Sequence, residues 1–398
     1  MNPEELGLPE PEEPVDEVTP EELRRRIDAG EDVVVLDTRM ANDYDEWRIE
    51  GDSVESVNVP YFEFLDDEID EDVLAHVPDG RRVTAVCAKG GASEYVAGAL
   101  AKRGYDVEHL VEGMNGWASI YDAVEVERYD GDGTLYQYQR PSSGCLGYMV
   151  VDGGEAAVID PLRAFAERYV EDAKERGAEL VYAIDTHVHA DHVSGVRALD
   201  KMDVEGVVPE AAVARGVTYA EEVTTVEDGD VLAVGDVEID VIHTPGHTSG
   251  MTSYLIDDAF LATGDGLFVE SVARPDLEEG DEGAPEAARL LYDSLQERVL
   301  TVGDGVLVGG AHYSGSAKPA DDGTYTATVG ELKERMGALS MEREEFVETV
   351  LADMPPRPAN YEEIIAINLG KEDADDDEAF ELELGPNNCA ASQETLAD

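Results

Sequence analysis

Basic residues are scarce in this chain: 28 lysines and arginines stand against 92 aspartates and glutamates, a formal net charge of −64 over 398 residues. Only seven of the 28 are lysine. A surface of that sign repels polyanions, which argues against nucleic acid and anionic membrane as partners. Cysteine is equally sparse. Cys87, Cys145 and Cys389 are odd in number and far apart, which excludes a disulfide framework and any CxxC site. Long apolar runs are missing too, and the opening Met1-Asn2-Pro3-Glu4-Glu5 resembles neither a signal peptide nor a membrane span. The expectation is a soluble, cytoplasmic protein.

Apolar residues are not lacking. They make up 42% of the chain and recur in periodic segments, unlike a disordered acidic polymer. The acidity therefore belongs to the surface of a folded protein. At molar salt the Debye length falls to about 3 Å and screens its self-repulsion. This points to a salt-loving, halophile-like cytoplasm.

Residues 1–17 read as an acidic arm. Thr19-Pro20-Glu21-Glu22 is a capping box with proline at the first helical position, predicting a helix to about Ala29. Val33–Leu36 and Val83–Val86 read as buried strands, and a helix follows Ser93 to about Lys102. This alternation predicts a small parallel α/β domain over residues 18–128. Asp130-Gly131-Asp132-Gly133 is a turn at the expected junction. Hairpin-like strands then begin at Leu135, with a helix near Phe165–Arg176 and a strand at Leu180–Ile184. They open a mixed α/β domain over 129–370. Residues 371–398 read as an acidic tail with little structure.

Of eight histidines, six lie between positions 187 and 312. His187-Val188-His189-Ala190-Asp191-His192 sets four ligand-type groups on one turn after a buried strand, and His243-Thr244-Pro245-Gly246-His247 follows. Such density at one strand end is metal-ligand patterning, since backbone rigidity fixes the donors before an ion arrives. Together with Thr263-Gly264-Asp265 and His312, these segments resemble the metallo-β-lactamase superfamily over roughly residues 130–370. That resemblance implies an αββα sandwich. It implies one of two metal loadings. A persulfide dioxygenase of the ETHE type would hold one Fe(II) per chain on His187, His247 and Asp265, a two-histidine, one-carboxylate face with open positions. His189, Asp191, His192 and His312 would then orient ligands and water around it. A dinuclear hydrolase of the glyoxalase II kind would hold two Zn. His187, His189 and His247 would take one ion, Asp191, His192 and His312 the other, with Asp265 as bridge. His243 has no ligand role in either pattern and reads as structural. Gly264-Asp265-Gly266-Leu267-Phe268-Val269, Arg274-Pro275-Asp276-Leu277 and Pro355–Tyr361 followed by Ala366-Ile367-Asn368 resemble the dioxygenase branch. The added basic helical domain usual in the hydrolase branch is not found.

Cys87 opens the loop Cys87-Ala88-Lys89-Gly90-Gly91-Ala92, closed by Ser93 at a helix N-terminus. Backbone N–H groups and the helix dipole favour a thiolate there, and Lys89 adds positive charge. Around it, Asp37-Thr38-Arg39, Trp47–Gly51, Ser56–Pro60 and Gly113–Trp117 resemble a rhodanese domain. That resemblance implies that Cys87 carries persulfide sulfur, with Lys89, Gly90 and Ser93 in its loop. Cys145 reads as a core residue of a strand, and Cys389 as a tail residue without a role.

The expected fold class is thus α/β, an N-terminal rhodanese-like parallel α/β domain plus a C-terminal metallo-β-lactamase αββα sandwich. The expected function is Fe(II)-dependent oxidation of a small-molecule thiol persulfide by O₂, coupled to sulfur transfer. A dinuclear zinc thioester hydrolase and a non-catalytic sulfur carrier using Cys87 are the alternatives. A homodimer is compatible with the composition but not read from it.

Overall fold

The computed structural model describes residues 7–9, 11, 14–65, 69–314, 317–352, 354–385 and 389–391. The chain divides into two compact units, one reaching to Tyr121 and one built mainly on Asp122–Glu383.

The first unit runs β1 (Asp16–Val18), α1 (Pro20–Asp28), β2 (Val33–Asp37), α2 (Ala41–Glu46), β3 (Val54–Asn58), α3 (Glu71–Leu74), β4 (Val83–Val86), α4 (Gly91–Ala101), β5 (Val107–Leu110) and α5 (Gly113–Ala118). Its five strands form one parallel sheet in the order β1-β5-β4-β2-β3. The β2 run Val-Val-Val-Leu explains the burial. Val34 and Leu36 pack with Val83, Val96 and Leu100 on one face, while Val33 and Val35 pack with Leu110, Met114 and Trp117 on the other. A parallel strand covered on both faces needs such a continuous apolar run. Thr19 caps α1, its hydroxyl accepting from Glu22 N at 3.2 Å. One expectation is corrected here: Asp16 and Glu17, placed in the acidic arm, belong with Val18 to an edge strand that pairs with β5.

The second unit continues with β6 (Asp122–Glu125), β7 (Thr134–Arg140), β8 (Cys145–Asp152), β9 (Glu155–Ile159), α6 (Ala166–Glu175), β10 (Glu179–Ile184), α7 (Val196–Asp200), β11 (Glu205–Pro209), α8 (Glu210–Arg215) and β12 (Thr224–Val226). Then come β13 (Val231–Val234), β14 (Val237–His243), β15 (Thr252–Ile256), β16 (Phe260–Gly264), α9 (Gly280–Glu297), β17 (Leu307–Gly310) and β18 (Ala327–Thr328). Four helices follow: α10 (Val329–Arg335), α11 (Arg343–Ala352), α12 (Tyr361–Asn368) and α13 (Asp376–Leu382). Strands β6–β12 form a seven-stranded sheet and β13–β18 a six-stranded one. Their inner faces share one core, in which Val150, Ala157, Ile184 and Val207 meet Ile239, Tyr254, Ile256 and Phe260. Outside, α6 and α7 lie on the first sheet. On the second, Leu291 and Leu295 of α9 and Phe346 of α11 pack over Leu261 and Val308. The architecture is an αββα sandwich.

Two further expectations change. Asp130–Gly133 is no junction: it joins β6 to β7, which pair antiparallel, so the sandwich already begins at Asp122. Nor is the region beyond 371 without structure. Asp375 and Glu378 close a capping box on α13, and residues 389–391 bridge Val272–Arg274 by main-chain hydrogen bonds. The acidic run read as solvated coil because its cap was hidden among like residues. Residues 386–388 and 392–398 of that tail, and 1–6, 10 and 12–13 of the arm, lie outside the described residues. Among the described residues no helix is long and apolar enough to cross a membrane.

Candidate metal centre

The candidate ligands gather where several strands of the sandwich end. His187, His189, Asp191 and His192 follow β10, His247 lies in the turn from β14 to β15, Asp265 follows β16, and His312 follows β17. Glycines permit the close approach. Gly246 has φ +150°, and a Cβ there would fall 2.4 Å from Leu291 Cα in α9. At Gly264, with φ +49°, it would fall 2.5 Å from Thr186 Oγ1. A side chain at either position would push the His247 or the Asp265 loop out of place.

His187, His247 and Asp265 present donor atoms that all lie within 4.8 Å of one another. Their outer atoms are held from behind. His187 Nδ1 faces Thr186 Oγ1 at 2.9 Å, and that hydroxyl donates to Asp160 Oδ2 at 2.9 Å. His247 Nδ1 faces the Arg274 carbonyl at 3.0 Å, and Asp265 Oδ1 faces His312 Nδ1 at 2.6 Å. What remains is Nε2 of both histidines and Oδ2 of Asp265, buried and without a hydrogen-bond partner. The Nε2 atoms sit 3.6 and 3.4 Å from Asp265 Oδ2. Buried polar atoms left unsatisfied are costly, and here three converge. The donor set therefore fits a cation.

Charge states agree with that fit. Burial, reinforced by His189, holds His187 well below the ordinary histidine range. Burial also lowers His247, against the pull of Asp265, so both rings keep a lone pair. For Asp265 burial works upward, but His312, then His247 and His187, outweigh it and keep the carboxyl ionised.

His189 stands outside this group. Its Nε2 lies 3.2 Å from Asp160 Oδ1 and 3.5 Å from Asp185 Oδ1, within ion-pair distance but without hydrogen-bond alignment. Burial and His192 push it down, yet Asp160 and Asp185 hold it up at about 9. Asp191, His192 and His312 form a separate corner. His312 Nε2 faces Asp191 Oδ2 at 2.7 Å, and His192 Nδ1 faces the same oxygen at 3.3 Å. Burial would lower His312, but Asp265 and Asp191 on its two sides raise it well above its usual range. His243 holds the loop, its Nε2 facing the Ser249 carbonyl at 2.9 Å.

Two cysteines enter here that sequence reasoning set aside. Cys145 in β8 donates its thiol to Asp191 Oδ2 at 3.3 Å. Cys389, buried at 0% exposure, brings its sulfur within 4.8 Å of donor atoms on Asp191, Asp265 and His312. No local motif marks either one; only tertiary pairing delivers them. Asn368 of α12 was noted within a segment but given no role. It donates to the His189 and His192 carbonyls at 2.9 and 2.8 Å and accepts from Ser194 N at 2.9 Å.

In the first unit Cys87 ends β4 and is 5% exposed. Its sulfur accepts from Gly90 N at 3.1 Å and Ser93 Oγ at 3.4 Å. Met114 N and Asn115 N of α5 donate to the Cys87 and Ala88 carbonyls at 2.8 and 3.0 Å, pinning the loop from below. Lys89 is exposed beside it. Asp37 and Arg39 pair at 2.7 Å, and Asn58 Nδ2 donates to both their carbonyls, at 2.9 and 3.0 Å. The motif residues thus brace the sheet end that carries the cysteine.

Sandwich and donor set define a metalloenzyme of the metallo-β-lactamase superfamily, and the chain belongs to that superfamily, with the family pattern matching residues 142–335. A rhodanese-like domain matches residues 19–120. More particularly, the chain is 30% identical over 241 residues to human mitochondrial persulfide dioxygenase ETHE1, covering 59% of this chain and 87% of that protein. It is also 32% identical over 239 residues to the hydroxyacylglutathione hydrolase of Brucella ovis, covering 56% and 85%. Among solved structures, ETHE1 from Myxococcus xanthus superposes with a TM-score of 0.51 at 28% identity, over 60% of this chain and 99% of that one. A metallo-β-lactamase from Staphylococcus aureus gives 0.54 at 27%, over 59% and 72%.

Proposed function

We propose that the chain is an Fe(II)-dependent persulfide dioxygenase, oxidising a small-molecule thiol persulfide to thiol and sulfite, with a sulfurtransferase domain working through Cys87. In balance, RSSH + O₂ + H₂O gives RSH + SO₃²⁻ + 2H⁺. The observation that carries this reading is the face of His187, His247 and Asp265, three unpartnered buried donors from which His189 is turned away. Two histidines and one carboxylate suit a single iron with open positions, and iron held there supplies O₂ activation and an anchor for the sulfur substrate. The chain's own part is positional. Thr186 and the Arg274 carbonyl hold the two Nδ1 atoms so that each Nε2 faces inward, and His312 turns Asp265 so that Oδ2 does. The persulfide dioxygenase relatives and the rhodanese-like domain favour sulfur chemistry.

The hydrolase relatives sustain the second reading, a dinuclear zinc thioesterase. Anaerobic purification with metal analysis, then O₂ uptake on a thiol persulfide, separates them. One iron per chain with sulfite formation is expected. Two zincs per chain with thioester hydrolysis and no O₂ uptake would replace the proposal. No turnover of either kind, with a persulfide found on Cys87, would leave the carrier reading.

A further inference from the structure

An ion pair outside the donor set ties α8 to the segment that follows β16. Arg215 is the last residue of α8, which Gly216 ends at φ +114°. Its side chain is 9% exposed, and that of its partner Glu278 is 17% exposed. The chain has only 28 basic residues, and withdrawing one from water is costly unless its contacts are specific. Here they are. Arg215 Nη1 donates to the Val188 carbonyl at 3.3 Å, and Nε stands 3.5 Å from Glu278 Oε1. The same carboxylate accepts from the Ser249 hydroxyl at 2.6 Å and from Ser249 N.

These contacts reach both histidine loops. Val188 lies between His187 and His189, outside any strand, so no ladder satisfies its carbonyl and a side chain must. Ser249 follows His247 in its turn, and His243 Nε2 faces the Ser249 carbonyl at 2.9 Å. Glu278 follows on from Arg274, whose carbonyl faces His247 Nδ1 at 3.0 Å. The segment from Arg274 to Glu278 thus grips the His247 turn at two points, and Arg215 carries that grip across to the His187 loop. Val188, Arg215, Glu278 and Ser249 make one continuous tie. A planar guanidinium suits it, because its fixed fork serves two acceptors at once and burial does not strip its proton as readily as that of a lysine.

We propose that Arg215 is a positioning residue of the metal centre, setting the spacing of the His187 and His247 loops and so of the two Nε2 atoms that face a cation. It supplies no donor atom itself. The inference rests on the reading that His187, His247 and Asp265 hold an ion, whichever metal that is.

The test is Co²⁺ binding to the full chain by chelator competition. The visible d–d bands of the bound ion give a second readout, and the His247→Ala chain gives the background. Arg215→Met should weaken binding roughly 10–100-fold and alter the bands. Arg215→Lys, which keeps the charge but not the fork, should fall between. Glu278→Gln should cost about tenfold, and the double variant should lose less than the product of the two single factors, since both cut one tie. A packing role alone would lower the urea midpoint and leave affinity and bands unchanged. That result, or fully independent losses, overturns the clamp. Where Arg215→Met fails to fold, the Lys and Gln variants decide. A parent chain that takes up no Co²⁺ overturns the donor face itself, and the clamp with it.

Discussion

Replacing Asn368 by alanine should destabilise the sandwich strongly, although Asn368 is not a candidate ligand. Its carboxamide makes three hydrogen bonds to the metal loop, donating to the His189 and His192 carbonyls and accepting from Ser194 N, and it is 4% exposed. A typical buried bond contributes about 0.5–1.5 kcal/mol net, and a group orphaned in the interior costs about 1–3 kcal/mol. Three partners lost together, with some recovery by water entering the vacated volume, give an expected loss of about 2–4 kcal/mol. Asn368→Asp should be no better, because it sets an oxygen against two carbonyl oxygens. Urea titration at fixed salt measures the effect as a shift in midpoint at unchanged slope. Both tryptophans, Trp47 and Trp117, lie in the first unit, so fluorescence follows that unit, and circular dichroism adds the second. The circular dichroism transition should move to lower urea. A loss below about 0.5 kcal/mol would mean that α12 does not clamp the loop, and the accounting of these bonds would be wrong.

Thr186→Val removes the hydroxyl between His187 Nδ1 and Asp160 Oδ2, and metal affinity should fall roughly 10–100-fold, with Thr186→Ser restoring it; equal affinity in the Val variant refutes the relay. Cys87→Ser should abolish sulfur transfer from a donor while leaving O₂ uptake on a supplied persulfide intact, as measured by running both assays on one preparation. The melting temperature should climb steeply from about 0.1 to 2 M salt, as the Debye length shrinks from about 10 Å to below 3 Å, and a flat profile would assign the net charge of −64 some other purpose.

Local pattern carried much of this architecture. The helix at Thr19-Pro20, the strand Val33–Leu36 and the turns bearing His187–His192 and His247 were legible because capping, apolar runs and dense ligand spacing are properties of contiguous residues. Other features come from chain segments far apart. Cys145 reaches Asp191 only because β8 bridges to the residue after β17, and a lone cysteine in a strand gives no hint of that pairing. Cys389 lies more than a hundred residues beyond Asp265 and returns through a three-residue bridge to Val272–Arg274, too short to show as a periodic segment. The turning of His189 toward Asp160 and Asp185 is likewise tertiary, since all four groups of the His187–His192 run look alike in sequence. Two helices had a local signal that went unread, the Thr328–Glu331 box that opens α10 and the Asp375–Glu378 box inside the acidic run that opens α13.

The same scarcity that opened the sequence explains how the interior is arranged. Few cations are available, yet several arginines are withdrawn from the surface into fixed pairs. Arg274, 1% exposed, meets Asp276 at 2.7 Å while its carbonyl orients His247, and Arg39 meets Asp37 beside the Cys87 sheet end. From the rim, the half-buried Arg26 and the exposed Arg82 reach the buried Glu108 at 2.7 and 2.8 Å. Buried pairs are screened little by salt, whereas like charges on the surface are screened strongly. Removing one partner of such a pair leaves an uncompensated charge in the interior, which is far more costly than losing a surface contact. The acidic exterior and the paired interior therefore answer to different variables. Ionic strength should govern whether the fold forms at all, and side-chain chemistry should govern the donor geometry once it has formed.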